Sequence, residues 1–258
     1  MISSYYRPEK ISDALDLLSD DQVKTIPMGG GTALDHYSSE PIAVVDLQKL
    51  GLNNLRSRGS VLEIGATVTL QNLFDHDSLQ DALGRAIRQE TSYNLRQVGT
   101  VAGTLVSSDG RSPFATAMLA LDPTLILEPG EERISLGDLL ALREGSLAGK
   151  LITQIELPLN VCLATRSVAR TPADLPIVFA AVGLWPSGRT RISLGGYGEA
   201  PLLAMDGPGS EGMQAAARDA YSDSGDQWAS ADYRQDMAVL LVKRCAAELD
   251  IEIEHNNN

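Results

Sequence analysis

Two short segments carry the residue types that can grip a phosphorylated ligand. The first is Pro27-Met28-Gly29-Gly30-Gly31-Thr32. Three successive glycines remove every Cβ from one stretch of backbone, so main-chain N–H groups can come close to a diphosphate, and Thr32 adds a hydroxyl donor. The pattern is neither the phosphate loop of nucleoside triphosphatases, which needs a lysine after the glycines, nor the GxGxxG fingerprint. By itself it reads equally well as a tight turn. The second segment is Val98-Gly99-Thr100-Val101-Ala102-Gly103-Thr104, leading through Ser107-Ser108-Asp109-Gly110-Arg111 into an apolar stretch. Its small residues permit close approach, its hydroxyls can donate to phosphate, and Arg111 can neutralise charge. A strand with a bulge is the competing reading. Together the two segments point to a dinucleotide held between loops, without saying which dinucleotide.

Other groups offer less. Gly195-Gly196-Tyr197-Gly198 follows a strand-like stretch and precedes Pro201, which suits a structural turn. His36, His76 and His255 lack metal-ligand spacing, and Asp20-Asp21 and Glu131-Glu132 read as solvated loop charges. Cys162 and Cys245 are the only cysteines and form no CxxC pair, which argues against a disulfide framework, a zinc site or an iron–sulfur cluster held by this chain alone. No nucleophile–base pair is evident, so in an enzyme component of this kind a cofactor would do the chemistry.

The elements that must position these segments follow from periodicity. Pro8 suits the first position of a helix carrying Ile11, Ala14, Leu15 and Leu18. Strands are predicted over Val23–Met28, Ile42–Leu47 and Val61–Ala66, with Thr69 capping a helix that begins near Leu70. A helix over Leu79–Glu90 presents Ala82, Leu83, Ala86 and Ile87 on one face, and Val98–Ser108 is predicted as a loop. Pro113 opens an apolar helix through Leu121, closed by Asp122-Pro123. Strands at Thr124–Leu127 and Leu151–Leu157 then flank a short helix near Leu136–Leu142.

Pro158 marks a domain boundary, giving a mixed α/β domain over 1–158, split near 55–60, and a second domain over 159–252. The second holds three strand-like stretches (Val161–Arg170, Ile177–Trp185 and Thr190–Leu194) and helices near Glu211–Tyr221 and Asp232–Leu249. The last helix has a predicted apolar stripe of Tyr233, Met237, Leu240, Leu241 and Ala247. The Gly- and Pro-rich Met205–Gly212 stretch is expected to be mobile, and the tail 253–258 disordered.

Composition sets outer limits. With 258 residues, 43% apolar and 21% charged, the chain has the make-up of a soluble globular protein. Its net charge of −13 disfavours nucleic acid and anionic membrane surfaces as partners. The N-terminus lacks a secretion signal and no apolar run approaches the ~20 residues that span a bilayer. A cytoplasmic setting is the expectation.

Several ordered motifs resemble the FAD-binding medium subunits of molybdenum hydroxylases, the carbon monoxide dehydrogenase and xanthine dehydrogenase family. PMGGGTAL at 27–34 looks like their first FAD loop, and VGTVAGTLVSSDGRSPFATAMLALDP at 98–123 is similar to their second loop and following helix. LITQIELP at 151–158 resembles the strand closing their flavin domain. ARTPADLPIV at 169–178, RISLGGYGEAP at 191–201 and ASADYRQDMAVLLVKR at 229–244 resemble their C-terminal domain. The resemblance implies an α+β fold, with a two-part FAD-binding domain of the vanillyl-alcohol-oxidase type followed by a C-terminal three-stranded sheet with helices.

It implies FAD held by Met28, Gly29, Gly30, Gly31, Thr32 and Ala33 in the first loop and by Thr100, Ala102, Gly103 and Thr104 in the second. Ser108, Asp109 and Arg111 would lie nearby, Ile152 would pack on the flavin or adenine, and Arg166 falls where the family often has a lysine near the isoalloxazine. Two departures stand out. Ala102 and Thr104 replace a glycine and an asparagine of the second loop, and at a position needing positive φ the alanine would cost on the order of 1 kcal/mol. A carboxylate usual before the next helix is missing at Pro113, where Asp109 or Arg111 would compensate. The implied role is electron transfer through FAD to an external acceptor. The implied partners are a molybdopterin-binding large subunit and an iron–sulfur small subunit. A flavin-free scaffold of the same fold, or a stand-alone flavin oxidoreductase, is the alternative.

Overall fold

The computed structural model describes residues 2–20, 23–34, 41–143 and 147–251. The predicted disordered tail, Asp21, His36 and His255 lie outside the described residues. The chain forms two compact units, each discontinuous in sequence: Met1–Ser78 with Ser92–Ser107 and Pro123–Leu157, and Leu79–Thr91 with Ser108–Asp122 and Pro158–Asn258. The second unit thus takes in two helices that precede Pro158.

In the first unit, β1 (Ile2–Tyr6), β2 (Thr25–Met28) and β3 (Ile42–Asp46) make a parallel sheet in the order β1-β3-β2. The run Ile42-Ala43-Val44-Val45 is buried throughout, as befits a central strand flanked on both sides. The helix Ile11–Leu18 packs Ala14 against Val45, Leu47 and Leu151. It begins at Ile11 rather than Pro8, and Lys10 is extended. Arg7 pairs with Asp46 at 3.1 Å and Glu9 with Lys49 at 2.9 Å, which ties residues 7–9 to the end of β3 before the helix can start.

The unit's other sheet joins β4 (Leu55–Arg58), β5 (Val61–Gly65), β6 (Thr124–Glu128), β7 (Glu132–Ser135) and β8 (Leu151–Pro158) in the order β4-β5-β8-β6-β7. Thr69 caps the helix Leu70–Phe74 as predicted, its hydroxyl accepting the Asn72 N–H at 3.1 Å. The predicted loop at Val98–Ser108 is corrected, because Val101–Ser107 is a helix. Its Gly, Thr and Ser content gives poor helix propensity, but burial of Val101, Ala102 and Leu105 overrides it. The Thr100 hydroxyl caps it by accepting the Gly103 N–H at 3.1 Å. Main-chain bonds from Leu70 to Gly99 (2.8 Å) and from Val101 to Val68 (2.9 Å) fix where it begins.

In the second unit, β9 (Cys162–Val168), β10 (Val178–Leu184), β11 (Arg189–Gly195) and β12 (Leu202–Pro208) form an antiparallel sheet in the order β12-β11-β10-β9. The expected three-stranded sheet is therefore four-stranded. The Gly- and Pro-rich stretch predicted to be mobile supplies part of β12, an edge strand where Gly207 and Pro208 are tolerated.

Helices cover both faces of this sheet. Val178, Ala180 and Val182 pack with Ala238, Leu241, Val242 and Cys245 of the helix Ala231–Glu248. Burial pushes the Cys245 thiol up to about 12. On the opposite face lies the helix Pro113–Leu121, every residue of which is buried. It approaches so closely that a Cβ on Gly183 would sit 2.4 Å from the Ala120 carbonyl oxygen.

The predicted stripe of the last helix is corrected as well. Tyr233, Leu240 and Ala247 are exposed, and the buried face runs through Arg234, Ala238, Leu241, Val242 and Cys245. Arg234 is fully buried because main-chain carbonyls receive it. It donates to Ile177 O, to Gly196 O at 2.7 Å and to the Asp226 carboxylate at 2.7 Å. Gly196, at φ +117, admits this packing as a structural turn, since a Cβ there would lie 2.1 Å from Ile177 O.

The carboxylate at the start of the Pro113–Leu121 helix comes from Glu90, which accepts from the Ser112 hydroxyl at 2.7 Å and the Phe114 N–H at 3.0 Å. Burial raises its pKa above the ordinary 4.5 despite those two donors. A carboxyl whose folded pKa is raised contributes fully below its unfolded pKa, and that contribution is lost as pH rises through the folded value. Glu90→Gln, neutral at every pH, is therefore expected to gain stability relative to the wild type as pH rises from about 4.5 towards neutrality. Melting temperatures of both proteins across that range check this, and parallel profiles would refute it.

Candidate functional site

A cavity of about 760 Å³ opens within the first unit, in the range of small-molecule and cofactor sites. One wall is the segment just past the C-terminal end of β2, Met28 to Leu34, and another is Thr100, Ala102 and Gly103 at the start of the Val101–Ser107 helix. Ile152 of β8, 5% exposed, contributes an apolar surface.

The three glycines do different jobs. Gly30 touches the neighbouring segment: a Cβ there would lie 1.7 Å from Val98 O. On Gly29 it would lie 2.6 Å from the Thr100 hydroxyl oxygen. Gly31 has φ +74, a left-handed conformation that L side chains rarely adopt. The missing side chains thus let the two segments meet as well as leaving the backbone open. Among the described residues the N–H groups of Gly30, Gly31, Thr32 and Ala33 have no protein acceptor, so they stand available to an anion.

Lys24, Arg143, Lys150 and Asp20 are the charged residues among the described lining, and Lys150 also pairs with Glu132. Lys24 stands one residue before β2 and could have been noted beside the glycines. Arg143 and Lys150 come from a distant segment and carried no such signal.

Of the residues singled out in the sequence, Met28, Gly29, Gly30, Gly31, Thr32, Ala33, Thr100, Ala102, Gly103 and Ile152 all line this one cavity. Thr104 instead turns its hydroxyl back to Thr100 O at 2.9 Å within the helix. Ala102 is a buried helical residue without positive φ, so the anticipated strain is absent.

Ser108, Asp109, Arg111 and Arg166 belong to the second unit. There the Asp109 carboxylate accepts the Arg111 N–H at 2.8 Å. Arg111 donates to Leu175 O at 3.0 Å and stacks 4.8 Å from the Trp228 ring. Arg166 is neutralised by Glu248 at 2.5 Å. Among the described residues no group of His, Cys, Asp and Glu is arranged to hold a metal ion. No described helix is long and apolar enough to cross a membrane.

With this geometry in place, comparison with known proteins fixes the class. The family described as FAD binding domain in molybdopterin dehydrogenase matches residues 1–160, and the chain belongs to it. It is a flavoprotein of the molybdenum hydroxylase type, an oxidoreductase component whose cofactor is FAD. Among its relatives is YgfM of Escherichia coli (strain K12), 30% identical over 80% of this chain and 79% of that one. The carbon monoxide dehydrogenase medium chain of Afipia carboxidovorans is 27% identical over 93% of this chain and 94% of its own. The fold is that of the matching chain of carbon monoxide dehydrogenase from Hydrogenophaga pseudoflava, with TM-score 0.81, 21% identity and coverage of 98% and 99%.

Two substitutions test the local geometry. Gly30→Ala is expected to push the two walls apart and lower the melting temperature. Ala102→Gly is expected to destabilise by about 1 kcal/mol in a denaturant titration, as glycine does inside a helix. A stabilising Ala102→Gly would mean that residue 102 needs a glycine conformation after all.

Proposed function

We propose that FAD occupies this cavity with its diphosphate on the N–H groups of Gly30, Gly31, Thr32 and Ala33. The Thr100-to-Gly103 wall lies on its other side. Ile152 packs on a ring of the cofactor. The observation that carries this reading is the set of N–H groups of Gly30, Gly31, Thr32 and Ala33, without an acceptor among the described residues, beside a cavity of cofactor size. Bound FAD supplies reversible one- and two-electron exchange; the chain's residues bind it, orient it and exclude water from one side. The two sheets of the first unit, β1–β3 and β4–β8, correspond to the two parts of a vanillyl-alcohol-oxidase-type flavin domain, divided between Asp46 and Leu55 rather than near 55–60, where Leu55–Arg58 already pairs with β5.

On this reading the protein is an electron-transfer subunit. Electrons arrive from iron–sulfur clusters on a small partner, released by substrate oxidation on a molybdopterin-binding large partner, and leave FAD for an external acceptor. Supporting the division of labour, a relative covered over 94% of its length is called a medium chain. Ser108, Asp109, Arg111 and Arg166 remain assigned to the flavin site by resemblance alone.

Incubation of the purified chain with FAD, followed by desalting, is expected to leave stoichiometric flavin and its visible absorption bands. Gly30→Ala is expected to lose most of it. A chain that stays colourless at high added FAD would favour the scaffold reading.

A further inference from the structure

A peptide between two glycines has no side chain to set its orientation, so its carbonyl and N–H can exchange directions at little cost. The Gly29–Gly30 peptide is of this kind, and its N–H is one of those assigned to the diphosphate. Its carbonyl is held: the Gln48 side-chain amide donates to Gly29 O at 2.8 Å. In a trans peptide the carbonyl and the N–H point in opposite directions. Whatever pins Gly29 O therefore aims the Gly30 N–H the other way.

Gln48 is itself held by a buried anchor. It follows Asp46, the last residue of β3, whose register partner in β2 is Met28. The Asp46 carboxylate is 3% exposed and accepts the Gln48 N–H at 2.9 Å, which caps the short helical turn Leu47–Lys49. It also receives the Tyr5 hydroxyl and, at 3.1 Å, the Arg7 guanidinium. The hydrogen bond to Asp46 raises the pKa of Tyr5 above its ordinary value. The main chain of Gln48 is thus fixed from beneath, while its exposed side chain reaches over to the glycine loop.

We infer that Gln48 is a positioning residue for the cofactor, clamping the Gly29–Gly30 peptide so that the Gly30 N–H is presented to the diphosphate of FAD. The inference rests on the placement of the diphosphate proposed above. Gln48 touches no cofactor atom in this role; it acts through one peptide plane. The requirement is for a donor at the end of a side chain of this length. Methionine matches the length and shape without the donor.

The test uses the full chain, freed of flavin and titrated with FAD. Gln48→Met is expected to raise the Kd about five- to tenfold, because the unclamped peptide must then be ordered when FAD binds. The phosphorus NMR resonances of bound FAD are expected to shift while the far-ultraviolet circular dichroism and melting temperature stay at wild-type values. Gln48→Lys, which restores a donor able to reach Gly29 O, is expected to bring the resonances back towards wild type. An unchanged Kd, or a raised Kd with unmoved phosphorus resonances, overturns the clamp. If Gly30→Ala binds FAD as tightly as the wild type, the diphosphate placement itself falls. Loss of FAD in Gly30→Ala with normal binding in Gln48→Met leaves the placement intact and removes only Gln48's role.

Discussion

The cavity wall depends on two segments, some seventy residues apart in the chain, that come into backbone contact where side chains are missing. At Gly30 there is no room for a Cβ beside Val98 O, and at Gly29 none beside the Thr100 hydroxyl. Much of the first unit serves this contact. The parallel ladder of β2 and β3 delivers the glycines at the sheet's end. The main-chain bonds between 68–70 and 99–101 deliver Thr100. Hydrophobic burial holds both sheets, but the contact has a steric tolerance of tenths of an ångström, far tighter than burial alone requires.

Thr100 is the joint of this arrangement. Its side chain lies against both Gly29 and Gly103, its hydroxyl accepts the Gly103 N–H, and its carbonyl accepts the Thr104 hydroxyl. One residue thus starts the helix and fills the space left by a glycine on the opposite wall. That double use explains why the second segment can carry Ala102 in place of glycine. The helical conformation puts Ala102 at ordinary backbone angles, so the substitution costs no left-handed strain.

Much of this was legible in the sequence. The glycine-rich segments, Thr69 as a cap, and the Pro113–Leu121 helix with its stop at Asp122 follow from local chemistry and stand in the structure. The failures share a cause. The Val101–Ser107 helix has poor intrinsic propensity and exists because of burial that no local window shows. β12 ends in Gly207-Pro208, which reads as a turn unless its place at a sheet edge is known. In the last helix Leu241 is buried and Met237 packs on the core as expected, but Tyr233, Leu240 and Ala247 face solvent, because the buried face turns through Arg234, which is held by carbonyls of residues 177 and 196. Gln48 and Glu90 were invisible for a related reason: their partners at Gly29 and Phe114 lie about twenty residues away in sequence.

The discontinuity of the two units bears on how the protein is made. The Pro113–Leu121 helix has no exposed residue in the finished fold, and the sheet that covers it is assembled from residues 162–208. A ribosome extends the chain at ~5–20 residues per second, so this apolar helix emerges on the order of ten seconds before its covering sheet is complete. Over that interval the nascent chain must shelter Phe114, Met118 and Leu119 by some temporary means. The first unit faces a milder wait, because its closing strand, β8, leaves the ribosome earlier. Biogenesis therefore proceeds with the first unit completed first and the second finished only when the last strands and helices arrive to bury what was made long before them.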